Sequence, residues 1–256
     1  MTPILLLGAG RMGGALIEGW LAAGAFAASD IMVRDPQPGT LPDGVRVNPS
    51  DAELAAAKTV VLAVKPQIWR EASAAIIPHL AADAVVVSIA AGVRSGDIAQ
   101  AFGRRVARVM PTTAVAIGQG TASIFAGDDE ARSRAHALLA PVATVVDLAD
   151  EALMHAATAV SGSGPAYLYA FVEALEAAGV SAGLAPEAAS QLARSTVAGA
   201  AALLAQSGAE PRELRKQVTS PGGTTQAALE VLLAELPGLM ARAVAAASAR
   251  SEELGG

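Results

Sequence analysis

The feature that most constrains this chain is where its strand signal stops. Short β-rich runs recur through the first 150 residues: PILLL (3–7), IMV (31–33), TVVLAV (59–64), VVVSIA (85–90), RVARVM (105–110), TASIFA (121–126) and ATVVDL (143–148). Helical patterns fall between most of them, near 11–24, 67–81 and 128–140. Strands too apolar to alternate are covered on both faces, and strands interleaved with helices build a parallel sheet. After about Glu151 the strand signal disappears. ALMHAATAV, PAYLYAFVEALEAAG, PEAASQLARSTVAGAAALLAQSG and PGLMARAVAAASARSEEL are all helical in pattern. Pro165, Pro186 and Pro237 stand where first helical positions would be, and Gly179 and Gly208 where helices would stop. The expected class is α/β, with a parallel-sheet domain over 1–150 and an all-helical domain over 151–256.

The later helices are lined with alanine and carry apolar residues on more than one side. About a hundred residues with so few large side chains make a thin core, so these helices are expected to bury themselves against a second copy. A compact monomeric bundle is the alternative. The net charge of −6 and the scarcity of aromatics argue against a nucleic-acid partner. There is no cysteine for disulfide or thiol chemistry, and the three histidines, His79, His136 and His155, lack metal-ligand spacing. TPILLLGAG is apolar but has no basic leader and no spanning length, so a soluble cytoplasmic protein without a membrane partner is expected.

GAGRMG follows the first predicted strand directly and opens a helix, the context in which GxGxxG binds a dinucleotide in a Rossmann-type domain. Its glycines allow a tight turn, backbone approach to a pyrophosphate and close helix–strand packing. Leu7, Gly8, Ala9, Gly10, Arg11 and Met12 are therefore cofactor candidates. The second strand ends in Val33-Arg34-Asp35-Pro36. Asp35 could bind ribose hydroxyls, as in NAD sites, whereas Arg34 could pair with the 2′-phosphate of NADP. Two later loops, Ala63-Val64-Lys65-Pro66 and Ala90-Ala91-Gly92, follow strands and are placed to line the same ligand.

Farther on, Ser161-Gly162-Ser163-Gly164-Pro165 joins one helix to the next, and a well-made interhelical turn would explain it without function. Ser220-Pro221-Gly222-Gly223-Thr224-Thr225 precedes the helical run QAALEVLLAEL. A helix start presents free N–H groups and partial positive charge, which suits a small anion. The threonine hydroxyls there can touch whatever carries that anion. A small acid at one end and a dinucleotide at the other suggest a reductase.

Taken in order, GAGRMG, AVKPQ, SIAAGV, VSGSGPAY and VTSPGGTTQAALEVL resemble the pyrroline-5-carboxylate reductase family over essentially the whole length. The resemblance implies an N-terminal Rossmann domain, a helical C-terminal dimerisation domain and often rings built from dimers. It implies reduction of 1-pyrroline-5-carboxylate to L-proline by NADPH or NADH. It places the substrate carboxylate on backbone N–H groups of Gly223, Thr224 and Thr225 and gives the Thr225 hydroxyl the catalytic contact to the ring nitrogen; Ser163, Ser220 and Gly222 are further substrate-binding candidates. A protonated cyclic imine is already electrophilic, so orientation and charge placement carry most of the rate.

Two departures stand out. Met110-Pro111-Thr112-Thr113-Ala114 replaces the family's MPNTP-like segment, which would reshape the loop near the nicotinamide. Asp51 stands where the family often has an asparagine near the adenine ribose, and together with Asp35 it would repel a 2′-phosphate. Arg34 pulls the other way, so either cofactor is expected to work, with a slight preference for NADPH from family habit. Another cyclic imino acid as substrate, or a nucleotide sensor without catalysis, are the competing functions.

Overall fold

The computed structural model describes residues 1–255. In chain order the elements are β1 (Ile4–Leu7), α1 (Arg11–Ala22), β2 (Ile31–Arg34), β3 (Arg46–Val47), α2 (Asp51–Leu54), β4 (Thr59–Leu62), α3 (Trp69–Ala74), β5 (Val85–Ser88), α4 (Ser95–Phe102), β6 (Arg105–Pro111), β7 (Gly120–Ala126), α5 (Asp129–Leu139) and β8 (Ala143–Asp147). Helices follow to the end: α6 (Leu153–Ala157), α7 (Gly164–Ser181), α8 (Pro186–Ser207), α9 (Pro211–Gln217) and α10 (Thr224–Gly255). By compactness the chain forms two units, Met1–Gly162 together with the residues from Ala245 onward, and Ser163–Val244. The strands do end near 150 as expected. The first unit runs on to Gly162 because α6 and the π turn Thr158–Gly162 pack on β6 and β7.

In the first unit one sheet has the order β3-β2-β1-β4-β5-β6-β7-β8. Every pair is parallel except β6 with β7, where Val109 faces Ile124 in antiparallel register. The parallel sheet read from the sequence is present, with β7 reversed against β6. Residues 112–119 are too few for a crossover, and they return the chain through a 3-10 turn at Thr113–Ile117. Strand β3 pairs with β2 over two residues, too short to leave a periodic signal.

β1, β4 and β5 are buried along their whole length. Ile4 and Leu6 join Val61, Val85 and Val87 in the core under α1 and α5, while Leu5 and Leu7 join Val60, Leu62 and Val86 in the core under α3 and α4. Glycine makes one of these packings possible. A Cβ on Gly19 of α1 would lie 2.1 Å from the Val115 carbonyl oxygen. Trp20, fully buried on the same helix, donates its indole N–H to the Leu138 carbonyl at 2.7 Å.

Some helix boundaries differ from the sequence reading. The expected helix at 67–81 is broken into a 3-10 turn, α3 and a second 3-10 turn carrying Pro78. Helices α2, α4 and α9 are short and were not expected. Gly208 does end α8 in a left-handed conformation, but Gly179 lies inside α7. Pro237 does not begin a helix; it lies within α10, where it costs one backbone hydrogen bond without ending so long an element.

In the second unit α7 packs on α8, with Gly179 set against Ala189. Among its residues only Ala189 and Ala193 are fully buried. Tyr169, Leu203 and Val231 are exposed over more than half their surface. α10 is long and apolar enough, by length and composition, to cross a membrane. The thin core expected from the alanine-rich sequence is present, with large apolar faces uncovered in the single chain.

Candidate active site

The glycine loop occupies the turn between β1 and α1. Gly8 has φ +98°, and a Cβ there would lie 2.9 Å from Val64 Cγ1 and 3.0 Å from the Ala63 carbonyl oxygen. A Cβ on Gly13 would lie 2.5 Å from the Gly8 carbonyl oxygen. Gly10 is different. It is exposed, and a Cβ on it would meet nothing within 4 Å. Two glycines are thus demanded by packing, while the third leaves backbone open to a ligand. Gly10 caps α1 without a side-chain hydrogen bond, and the first N–H of the helix with a backbone acceptor is that of Gly14, on the Gly10 carbonyl. The N–H groups before it, the exposed Arg11 and the positive end of a twelve-residue helix fit a pyrophosphate.

Beside this loop lies a cleft of about 540 Å³, lined by Leu7, Gly8, Arg34, Asp35, Pro36, Val64, Ile68, Glu71, Ala72 and Ala75. It sits outside the carboxyl ends of β1, β2 and β4, where open parallel sheets bind nucleotides. The apolar walls suit a base and the charged rim suits a ribose. Asp35 is fixed on this rim: its carboxylate accepts the Ala9 N–H and the Gln37 N–H, both at 2.8 Å. Its own N–H donates to the Asn48 side-chain oxygen at 3.1 Å, and Asn48 adopts φ +49° to reach it. Arg34 is exposed; its carbonyl accepts the Gly8 N–H at 3.0 Å, and no hydrogen bond or ion pair of its guanidinium is seen among the described residues.

Asp51 is not brought to the cleft. It begins α2, 3.6 Å from His79 Nδ1, beside a capping box made by Ser50 and Glu53. The second carboxylate on the cleft is Glu71 of α3, which the sequence reading missed together with Asn48. Neither lies in a glycine motif. Lys65 and Pro66 follow β4, Lys65 exposed, and Ala90, Ala91 and Gly92 follow β5, Gly92 at φ +80°. The altered MPTTA segment has a role within the hairpin. Thr112 donates its N–H to the Thr121 carbonyl at 2.9 Å, and its hydroxyl accepts the Thr121 N–H at 3.0 Å.

In the second unit Ser220–Gly223 forms a tight turn into α10. Gly223 donates its N–H to the Ser220 carbonyl at 3.1 Å, and Gly222, at φ +72°, donates its N–H to the Gln226 side chain at 2.8 Å. A Cβ on Gly223 would lie 2.5 Å from Ser220 Oγ. The Ala227 N–H reaches the Gly223 carbonyl. Among the described residues, the N–H groups of Thr224, Thr225 and Gln226 have no backbone acceptor. The free donors of this helix start are therefore one step later than the Gly223–Thr225 set that the resemblance implies. Ser163 opens α7, and its hydroxyl caps nothing.

Comparison with known proteins decides the family. The chain is 40% identical to pyrroline-5-carboxylate reductase of Pseudomonas aeruginosa, over 99% of this chain and 97% of that one. It belongs to the pyrroline-5-carboxylate reductase family. Another relative, pyrroline-5-carboxylate reductase 2 of Bacillus subtilis, is 36% identical over 91% of this chain and 87% of its own. The pyrroline-5-carboxylate reductase dimerisation model matches residues 151–254, and the model described as NADP oxidoreductase coenzyme F420-dependent matches residues 3–92.

Among solved structures, the reductase from Coxiella burnetii is similar at TM-score 0.89 and 30% identity, covering 100% of this chain and 99% of that one. The Plasmodium falciparum reductase with NADP bound is similar at TM-score 0.85 and 27% identity, covering 100% and 98%. The exposed apolar helices lie inside the segment matched as a dimerisation domain, so the protein is built to form an oligomer.

Proposed function

We propose that this member of the pyrroline-5-carboxylate reductase family reduces the C=N bond of 1-pyrroline-5-carboxylate to give L-proline. The observation that carries the proposal is the helix start at Thr224–Gln226, where N–H groups without backbone acceptors open a long helix with a hydroxyl beside them, in a chain similar to a reductase over nearly all of both lengths. The N–H groups of Thr224 and Thr225 and the positive end of α10 hold the substrate carboxylate. Ser220, Gly222 and Gly223 shape the turn that aims them, and Ser163 offers a second hydroxyl. Thr225, half-buried, places its hydroxyl at the ring nitrogen and relays at most one proton. No stronger acid is needed, because a protonated imine is already the electrophile.

At the other end, Gly8, Ala9, Gly10, Arg11 and Met12 hold the pyrophosphate of NADPH or NADH. The adenosine lies in the cleft between Leu7, Arg34, Asp35 and Val64, and Lys65, Pro66, Ala90, Ala91 and Gly92 border the path beyond it. When bound, the nicotinamide supplies the hydride that the imine carbon accepts. The working assembly is a homodimer built through residues 151–254 and extended into a ring of dimers, acting in the cytoplasm.

The test is the initial rate of NADPH and NADH oxidation with 1-pyrroline-5-carboxylate added. Imine-dependent oxidation with either cofactor supports the proposal. Tight dinucleotide binding without turnover refutes it in favour of another imine or a sensor.

A further inference from the structure

One cluster in the first unit is unused by this account. Arg108, in the middle of β6, is buried to 2% exposure, and its ion-pair partner among the described residues is Glu151, at 3.1 Å from Nη1. Its Nε and second terminal nitrogen are buried without a partner. Glu151 does more than balance this charge. Its carboxylate accepts the Ser95 N–H at 2.7 Å through one oxygen and the Ser95 hydroxyl at 2.7 Å through the other. Ser95 is the first residue of α4, and the N-cap residue Arg94 makes no side-chain bond there. A carboxylate 56 residues away in sequence thus supplies the acceptor that this helix start lacks.

Both groups it holds lead to the same place. Ser95 ends the loop that runs from Ala90 through Gly92 after β5, and Arg108 stands two residues before Met110 on β6. The adenosine cleft lies at the ends of β1, β2 and β4, and β5 and β6 follow β4 in the sheet. A dinucleotide that crosses the start of α1 from that cleft therefore lays its other half over the ends of β4, β5 and β6.

We propose that Glu151 is a positioning residue for the nicotinamide half of the dinucleotide, acting by tying the Ala90–Arg94 loop to strand β6. The inference rests on the dinucleotide reading of the first unit. Glu151 touches neither cofactor nor substrate in this account; it fixes the two walls between which the nicotinamide lies. Loosening that tie costs affinity for the nicotinamide half and leaves the adenosine half, held by the glycine loop and Asp35, as it was.

The test measures dissociation constants of NADPH and NADH from their fluorescence on the purified full chain, and of ADP-ribose and its 2′-phosphate by calorimetry. The variants are Glu151→Gln, Ser95→Ala, which leaves the ion pair whole, and Arg108→Met with Glu151→Met, which removes the buried charges together. The expected result is dinucleotide affinity weakened about tenfold in Glu151→Gln and about threefold in Ser95→Ala, with ADP-ribose affinity changed by less than about twofold. The double variant keeps the melting temperature and still binds dinucleotide weakly. Equal losses for dinucleotide and ADP-ribose would make the cluster a general structural support and overturn the proposal. So would wild-type dinucleotide affinity in the double variant. Failure of the wild-type chain to bind any of the four ligands would refute the dinucleotide reading itself, and the inference with it.

Discussion

The Asp35 carboxylate accepts the Ala9 N–H at 2.8 Å, so a residue on the rim of the cleft also holds the glycine loop. A second bond, from the Gln37 N–H, fixes its orientation. Replacing Asp35 with Ala frees a loop that must meet the pyrophosphate, and the affinity for NADH and NADPH falls together, by about tenfold. Arg34 has no such structural duty. Its replacement with Ala weakens NADPH and leaves NADH unchanged. Fluorescence titration of each variant with both dinucleotides checks the pair of outcomes.

Gly10 and Gly13 separate function from packing within one motif. A methyl on Gly13 meets the Gly8 carbonyl oxygen at 2.5 Å, so Gly13→Ala destabilises the fold, by about 1–3 kcal/mol. A methyl on Gly10 meets nothing, so Gly10→Ala keeps the melting temperature and loses dinucleotide affinity. Thermal melts beside binding curves distinguish the two.

Glu151 also predicts the acid limb of stability. Burial alone would raise its pKa, but the Ser95 N–H, the Ser95 hydroxyl and Arg108 outweigh burial and hold the carboxyl below its usual range. A carboxylate depressed in the folded state contributes stability that is present above its unfolded pKa and lost as pH falls through the folded value. The melting temperature of the wild type therefore falls as the pH drops below the ordinary carboxylate range toward the depressed value of Glu151. In the Arg108→Met, Glu151→Met variant that drop is smaller.

Val231 lies on an exposed apolar face of α10, within the segment matched as a dimerisation domain. A buried charge in an interface is costly unless paired. Val231→Glu shifts the protein toward the monomer in light scattering, with helical content preserved by circular dichroism.

Much of this was legible because the physics is local. Continuous Val and Ile runs gave the buried strands, and Gly8 and Gly13 marked a turn that tolerates no side chain. The thin helical core was legible from alanine itself. What escaped notice depends on contacts across the chain. Glu71 reaches the cleft only because α3 packs beside β4, and no spacing in the sequence joins Glu151 to Ser95. Asp51 looked like a cofactor residue by position, but the short α2 turns it toward His79. The antiparallel β7 carries the same apolar pattern as its parallel neighbours, and only the short connection through Thr113–Ile117 sets its direction. At the start of α10 the turn was readable, but the spending of the Gly222 and Gly223 N–H groups on Gln226 and Ser220 was not.

Thr225 carries the chemistry in this account, and its hydroxyl is not needed to hold the dinucleotide. Thr225→Ala lowers kcat by about a hundredfold and leaves the dissociation constants of NADPH and NADH within about twofold. Steady-state rates and binding titrations on the same preparation test it.

The most direct test of the whole account follows the hydride. The enzyme is given NADPH or NADH deuterated at the transferring position of the nicotinamide, with 1-pyrroline-5-carboxylate, and the product is read by mass spectrometry and NMR. The account predicts L-proline carrying one deuterium on the former imine carbon. Cofactor oxidation without labelled proline, or unlabelled proline, would contradict it.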